Sequence, residues 1–245
     1  MNKHLSIAMF LLGACLALGF VYGMGKVSHA VAEFKQPHSI RVKGYAERQI
    51  TSDTATWNCT VTVREGQLQT GYARIKQDVE ACKQQLKALG VTEGELNVGP
   101  IQSDIRYKRS EKGQDTNEVD YYNLTQSMDV GSKDVHKVDR VSKEITELIA
   151  KGIEVRSEKV AFTDSQIEKV KLELLAETTQ NGWQRAEVLA ERSKGKVGAL
   201  ISANQGVFQI VPVDSTEVSG EGVYDTSTIE KAIKAVVTLE FAVKK

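Results

Sequence analysis

The stretch Val42–Val63 reads VKGYAERQITSDTATWNCTVTV, and its second half decides the fold. From Thr54 onward residues alternate strictly. Ala55, Trp57, Cys59, Val61 and Val63 fall on one side, and Thr54, Thr56, Asn58, Thr60 and Thr62 on the other. Side chains of a β-strand point alternately to its two faces, so this is a half-buried antiparallel strand with threonines on the wetter face. Trp57 and Cys59 share the apolar face and read as core. Before them, Ile40, Val42 and Tyr45 begin another strand from Ser39, with Gly44 at a bend or bulge.

A helix follows. Leu68, Tyr72, Ile75, Val79, Cys82, Leu86 and Leu89 step by alternating fours and threes, one apolar stripe along about six turns. Gly90 stands where a left-handed residue ends a helix. Two strands come next, over 97–109 and 119–130, separated by the polar hairpin loop SEKGQDTN. Asp134 caps a second helix, whose stripe is Val138, Val141, Ile145 and Leu148 and whose stop is Gly152. A strand over 154–162 leads to Ser165-Gln166-Ile167-Glu168, which fits a capping box. That box opens a long third helix to about Ser193, with Leu172, Leu175, Thr179, Gly182, Ala186 and Leu189 on one face. Gly182 implies either a close approach to a sheet or a local bend, since it costs about 1 kcal/mol against alanine in a helix interior. The end is β again: a strand pair around Gly206, a polar loop at 214–226, and a last strand burying Val237, Leu239, Phe241 and Val243. Hairpins mixed with helices, without strict β-α alternation, predict an α+β fold of mixed, largely antiparallel sheets with two shorter helices and one long one.

The N-terminus gives the compartment. Residues 5–24, LSIAMFLLGACLALGFVYGM, carry no charge and are long enough to cross a bilayer as a hydrophobic helix. The segment is an uncleaved signal anchor or a long signal peptide cut at Ser28-His29-Ala30 or Ala30-Val31-Ala32. Lipidation at Cys15 is a third reading, opposed by the apolar residues that follow it. On either main reading residues 1–32 are the export segment with the start of a tether. Residues 33–245 are then the domain, one large or two small packed ones. The body is expected in the periplasm, held at the inner membrane through residues 5–24 if uncleaved, or soluble after cleavage near Ala30 or Ala32.

All 32 acids lie at or beyond Glu33, and of the 32 basic residues only Lys3 and Lys26 precede it. The exported part thus has 30 basic residues against 32 acids, so nothing drives it toward nucleic acid. Chemistry-bearing patterns are sparse. Beyond residue 32 the histidines are His38 and His136, and no H-x-x-x-H, Cys/His cluster, G-x-S-x-G or glycine-rich phosphate loop occurs. Metal, cofactor and catalytic residues are therefore expected to be none. Cys59 and Cys82 lie on apolar faces that are expected to pack together. They are buried free thiols or a disulfide, which needs Cα atoms about 4.4–6.8 Å apart.

Three segments carry a resemblance. IRVKGYAERQITSDTATW (40–57) is similar to the I-x-V-x-G-x-(G/A)…P-D-x-A opening of SIMPL-domain proteins. IEVRSEKVAFTDS (153–165) and QRAEVLAERSKGKVGALISANQG (184–206) resemble the family's segments before and along its long helix. Ser52-Asp53 replaces the usual Pro-Asp, and Val197 stands before Gly198 where leucine is common. The resemblance covers about 39–244. It implies a bacterial envelope or periplasmic protein, an α+β fold of two intertwined subdomains, and ring- or barrel-like homo-oligomers. It also implies a link with oxidative-stress defence in some members and no established catalytic residues. The expected function is a non-enzymatic, self-assembling envelope protein. The alternative is a binding module that recognises a protein or small ligand through loops 110–118 and 214–226; an enzyme would need a cleft with strongly shifted carboxylates.

Overall fold

The computed structural model describes residues 38–244, together with the isolated positions 13, 19, 20 and 24. The apolar segment as a whole, Cys15 and the two cleavage sequences lie outside the described residues. Among the described residues no helix is long and apolar enough to cross a membrane.

The strands are β1 (Ser39–Thr51), β2 (Thr54–Glu65), β3 (Leu96–Arg109), β4 (Asp115–Ser132), β5 (Glu154–Ser157), β6 (Ala161–Thr163), β7 (Lys196–Gln205), β8 (Gln209–Pro212), β9 (Val223–Tyr224) and β10 (Glu230–Lys244). The helices are α1 (Leu68–Ala88), α2 (Val135–Glu144) and α3 (Ile167–Arg192), with 3-10 turns at Glu93–Glu95 and Ile145–Lys151. One sheet orders β1-β10-β8-β9 with β7 also on β10; the other orders β3-β4-β2-β5 with β6 also on β2. The β2–β4 and β7–β10 ladders are antiparallel, and β8–β9 is parallel. Among the described residues the fold is α+β with mixed, largely antiparallel sheets and three helices, as the sequence predicts for them; the expected N-terminal hydrophobic helix lies outside the described residues.

The described residues divide into two compact units: 38–44, Thr179–Gln205 and 237–244 in one, Tyr45–Thr178 and Gly206–Val236 in the other. The larger unit is built on β2. Ala55, Trp57, Cys59, Val61 and Val63 are all 3% exposed or less. They pack in one cluster with Ile75, Val79, Cys82 and Leu86 of α1, with Val138 and Val141 of α2, and with Leu124, Met128 and Val130 of β4. Burying each such side chain contributes about 1.5–3 kcal/mol, so a charge at Val61 would break this unit. A second cluster in the same unit gathers Ile50, Leu174, Ile210, Ile233 and Ala235.

The α1 stripe rotates away from its predicted line at the start: Leu68 and Tyr72 are 41% and 50% exposed, and Gly71 is buried in their place. An added Cβ on Gly71 would lie 2.6 Å from Leu124, so the helix closes on the sheet through a residue that apolar counting skips. Gly90 (φ 92°) and Gly152 (φ 83°) end their helical segments in the left-handed region, the conformation that favours glycine there. Asp134 caps α2 by accepting from the Lys137 N–H. The predicted strand over 154–162 is two strands, because three residues, 158–160, stand opposite two, Trp57 and Asn58, and only the Glu158 N–H still bonds across, to Asn58 O at 3.0 Å.

Two predictions for α3 are corrected. No capping box forms at Ser165. Its N–H and hydroxyl both donate to Asp53, and Asp164 accepts from Gln166 N–H, so Glu168 is left to an exposed pair with Lys171. The buried line is Leu174, Thr178, Gly182, Ala186 and Ala190, every fourth residue, while Leu172 and Leu189 are 70% and 49% exposed. Within the smaller unit, a Cβ on Gly182 would lie 2.6 Å from Leu239 Cδ1 and 3.4 Å from the Gly44 backbone. Small residues let this helix approach its strands closely, which decides for close approach at Gly182. Gly44 likewise lies inside an uninterrupted β1. Trp183 completes the contact, edge-on to Phe241 at 5.1 Å.

Candidate functional site

The bulge between β5 and β6 sits beside a concavity of about 410 Å³ lined by Thr56, Trp57, Asn58, Glu95, Asp129 and Lys159, among others. A second hollow of about 520 Å³, lined by Thr54, Ser132, Asp134 and Lys137, shares Glu95 with it. β2 and β4 position the walls: their register sets Thr56 opposite Gly131 and Asn58 opposite Asp129, and Asn58 Nδ2 donates to Asp129 Oδ1 at 2.7 Å. Trp57 shows the cavity little more than an edge. Its Nε1–H donates to Ser157 Oγ at 3.0 Å, and Ser157 in turn donates to the Ser142 carbonyl at 2.7 Å.

Glu95 is the most perturbed carboxylate here. Lys137 Nζ donates to both its oxygens at 2.7 and 2.8 Å, Ser132 Oγ donates at 2.5 Å, and the Thr92 N–H and hydroxyl each donate at 3.0 Å. These bonds, Lys137 foremost, pull its pKa down to about 2. A carboxylate so held is ionised throughout the neutral range and is a poor general acid or base, which wants a pKa near the working pH. Its physical role is a clasp, fastening the Glu93–Glu95 turn to the end of β4 and the first turn of α2.

The sequence candidates distribute as follows. Cys59 and Cys82 are 0% exposed and are free cysteines. Burial pushes their thiols up to about 12 and about 11, with the proximity of Cys82 adding to Cys59, so neither carries thiolate at neutral pH. His136 is exposed on α2. Among the described residues no group of three His, Cys, Asp or Glu side chains is arranged to hold a metal ion. The 110–118 loop is shorter than predicted. The strands run to Arg109 and from Asp115, and Ser110 N–H bonds Gln114 O at 2.8 Å across the turn. The result is a β ribbon whose outer part exposes Ile105 (46%), Tyr107 (44%) and Val119 (38%). The 214–226 loop contains β9 and is pinned by the Gln209 side chain, which donates to Ser219 O and accepts from Ser219 N–H.

Sequence reasoning missed Lys231. It is 2% exposed, with Nζ donating to Ser52 Oγ (2.8 Å), Phe162 O (3.1 Å) and Thr228 O. Desolvation lowers its pKa, with Asp225 and Asp164 opposing. The signal was present: Lys231 continues the inward alternation Ile233, Ala235, Val237 of β10. It ties the β1–β2 turn, β6 and the loop before β10 to one ammonium.

A family model described as SIMPL, a protein of unknown function (DUF541), matches residues 40–241. No curated protein matches the chain. Similar solved structures include a hydantoinase/carbamoylase family amidase from Burkholderia ambifaria, at 14% identity and a TM-score of 0.27 over 44% of this chain and 28% of that one. They also include an uncharacterized conserved protein from Listeria innocua, at 12% identity and a TM-score of 0.22 over 81% of this chain and 92% of that one. The chain thus spans just over a quarter of the amidase, and at these scores neither likeness decides anything about it.

Proposed function

The chain belongs to the SIMPL family, and from that premise we propose that it is a non-enzymatic protein of the bacterial cell envelope that self-assembles into homo-oligomers. Residues 5–24 would deliver it to the periplasm and, uncleaved, hold it at the inner membrane; cleavage near Ala30 or Ala32 would release it. The observation that carries the assembly reading is the β3–β4 ribbon. Its outer residues Ile105, Tyr107 and Val119 are apolar and 38–46% exposed. A two-stranded ribbon is marginal by itself in water, and exposed apolar groups on it favour a covering surface. The non-enzymatic reading is supported by the state of the ionisable groups: Glu95 is fully bonded and held low, and both buried thiols are held high. A role in stress defence, implied by the family resemblance, would therefore not run through thiolate chemistry at Cys59 or Cys82. Light scattering on the full chain as isolated from cells tests the assembly: a strict monomer at micromolar concentration refutes it. Mass spectrometry of the native N-terminus distinguishes anchor from cleaved signal.

A further inference from the structure

A sheet edge offers unpaired N–H and C=O groups to any passing strand, and proteins guard long edges with charge and proline. Among the described residues the long strands with a single neighbour are β1, β3 and β7. β1 carries Arg41, Lys43, Glu47 and Arg48; β3 carries Pro100, Asp104, Arg106, Lys108 and Arg109. β7 is different: KVGALISANQ has no charge and no proline from Val197 to Gln205. At its centre Leu200 and Ile201 are 51% and 54% exposed. The ladder to β10 passes from Glu240↔Ser202 to Phe241↔Leu200, so Ile201 is the extra residue of a bulge. Bulges re-aim side chains and normally help to guard an edge. Here the residue set apart is β-branched and apolar.

We propose that β7 pairs antiparallel with β7 of a second copy of this chain about a two-fold axis. This deepens the self-assembly proposed above and rests on it. The charge pattern selects both the occupant and the direction. A second copy brings an edge equally free of charge and proline. Antiparallel overlap places Lys196 at the Gln205 end of the other strand, whereas parallel overlap would stack Lys196 on its equivalent, and like charges directly opposite are destabilising. A two-fold contact of this kind is self-complementary and closes.

The test is light scattering of the full chain, wild type against Ile201→Lys, with circular dichroism to establish that the variant folds. The expected result is that the wild type assembles and the variant's particle mass falls at least twofold. A folded variant with the wild-type mass overturns the β7 pairing and leaves self-assembly standing; a monomeric wild type overturns both. An Ile201→Cys variant in a Cys15→Ser background keeps the test independent of the lysine variant's folding, since Cys59 and Cys82 are fully buried. Copper-phenanthroline treatment of this variant in the native envelope should give a covalent dimer of the chain; no dimer, or a cross-link to a different protein, overturns the pairing.

Discussion

Gly182→Ala separates two physical effects of opposite sign. In a solvent-exposed helix interior, alanine for glycine stabilises by about 1 kcal/mol. Gly182 is instead buried, and the new methyl would come within 2.6 Å of Leu239 Cδ1 and 3.4 Å of the Gly44 backbone. Leu239 is 2% exposed and has little room to retreat, and the Gly44 backbone, at ordinary contact distance of 3.4 Å, leaves the methyl no room to move the other way. Overpacking of this kind costs about 1–3 kcal/mol. Taking about 2 kcal/mol for the strain and subtracting about 1 kcal/mol of propensity leaves a net destabilisation of about 1 kcal/mol. The assay is guanidinium unfolding followed by tryptophan fluorescence, with Trp183 as local probe through its contact with Phe241. Leu239→Val supplies the control: removing one methylene relieves the clash, so the double mutant should be more stable than the sum of the singles by about 1 kcal/mol, within the range seen for touching residues. A Gly182→Ala protein more stable than wild type, or strict additivity with Leu239→Val, would refute the close-approach argument.

Three further outcomes follow from the same geometry. Glu95 has a folded pKa of about 2, below its ordinary 4.5, so its stabilisation is full above about pH 4.5 and is lost as pH falls toward 2. Glu95→Gln should cost about 1–2 kcal/mol at neutral pH and progressively less as pH falls from 4.5 through about 2, read from urea midpoints across pH; a pH-independent difference would count against the clasp. Lys231→Met leaves the Phe162 and Thr228 carbonyls without their donor and should lower stability by about 1–3 kcal/mol in thermal or denaturant melts. Because the folded pKa of Lys231 is depressed, wild-type stability should gain from this group as pH rises above that value toward the unfolded one, a gain absent from the methionine variant. In a Cys15→Ser background, Cys59 and Cys82 should resist a thiol-specific chromogenic reagent at pH 8 until denaturant is added; rapid reaction of the native variant would contradict their burial.

Much of the larger unit was legible because its signals are local and periodic. The alternation of Ala55, Trp57, Cys59, Val61 and Val63 and the stripe Val138, Val141, Ile145 and Leu148 are both buried as read. Where reading by apolar residues went astray, small residues decided. Gly71 replaces Leu68 and Tyr72 at the start of α1, and Thr178, Gly182, Ala186 and Ala190 set the buried line of α3 while Leu172 and Leu189 face solvent. Ser165 forms no capping box, since Asp53, 112 positions away, takes both its donors. The Glu95 clasp was hidden in its larger part: Thr92 lies three residues away in the same turn, a local capping-box spacing, but Ser132 and Lys137 converge on Glu95 only once the turn, β4 and α2 are assembled.

By itself, then, the sequence determined most element types, the inward face of β2, the apolar stripe that runs through α2 into the 3-10 turn after it and membership of the α+β class, since hydrophobic periodicity follows from strand and helix geometry alone. Only the tertiary structure decided how closely helices approach strands, which carboxylate is clasped, which lysine is buried and which edge is left without charge. Those depend on atoms brought together from distant positions, and residue spacing along a chain carries no record of them until the sheets have formed.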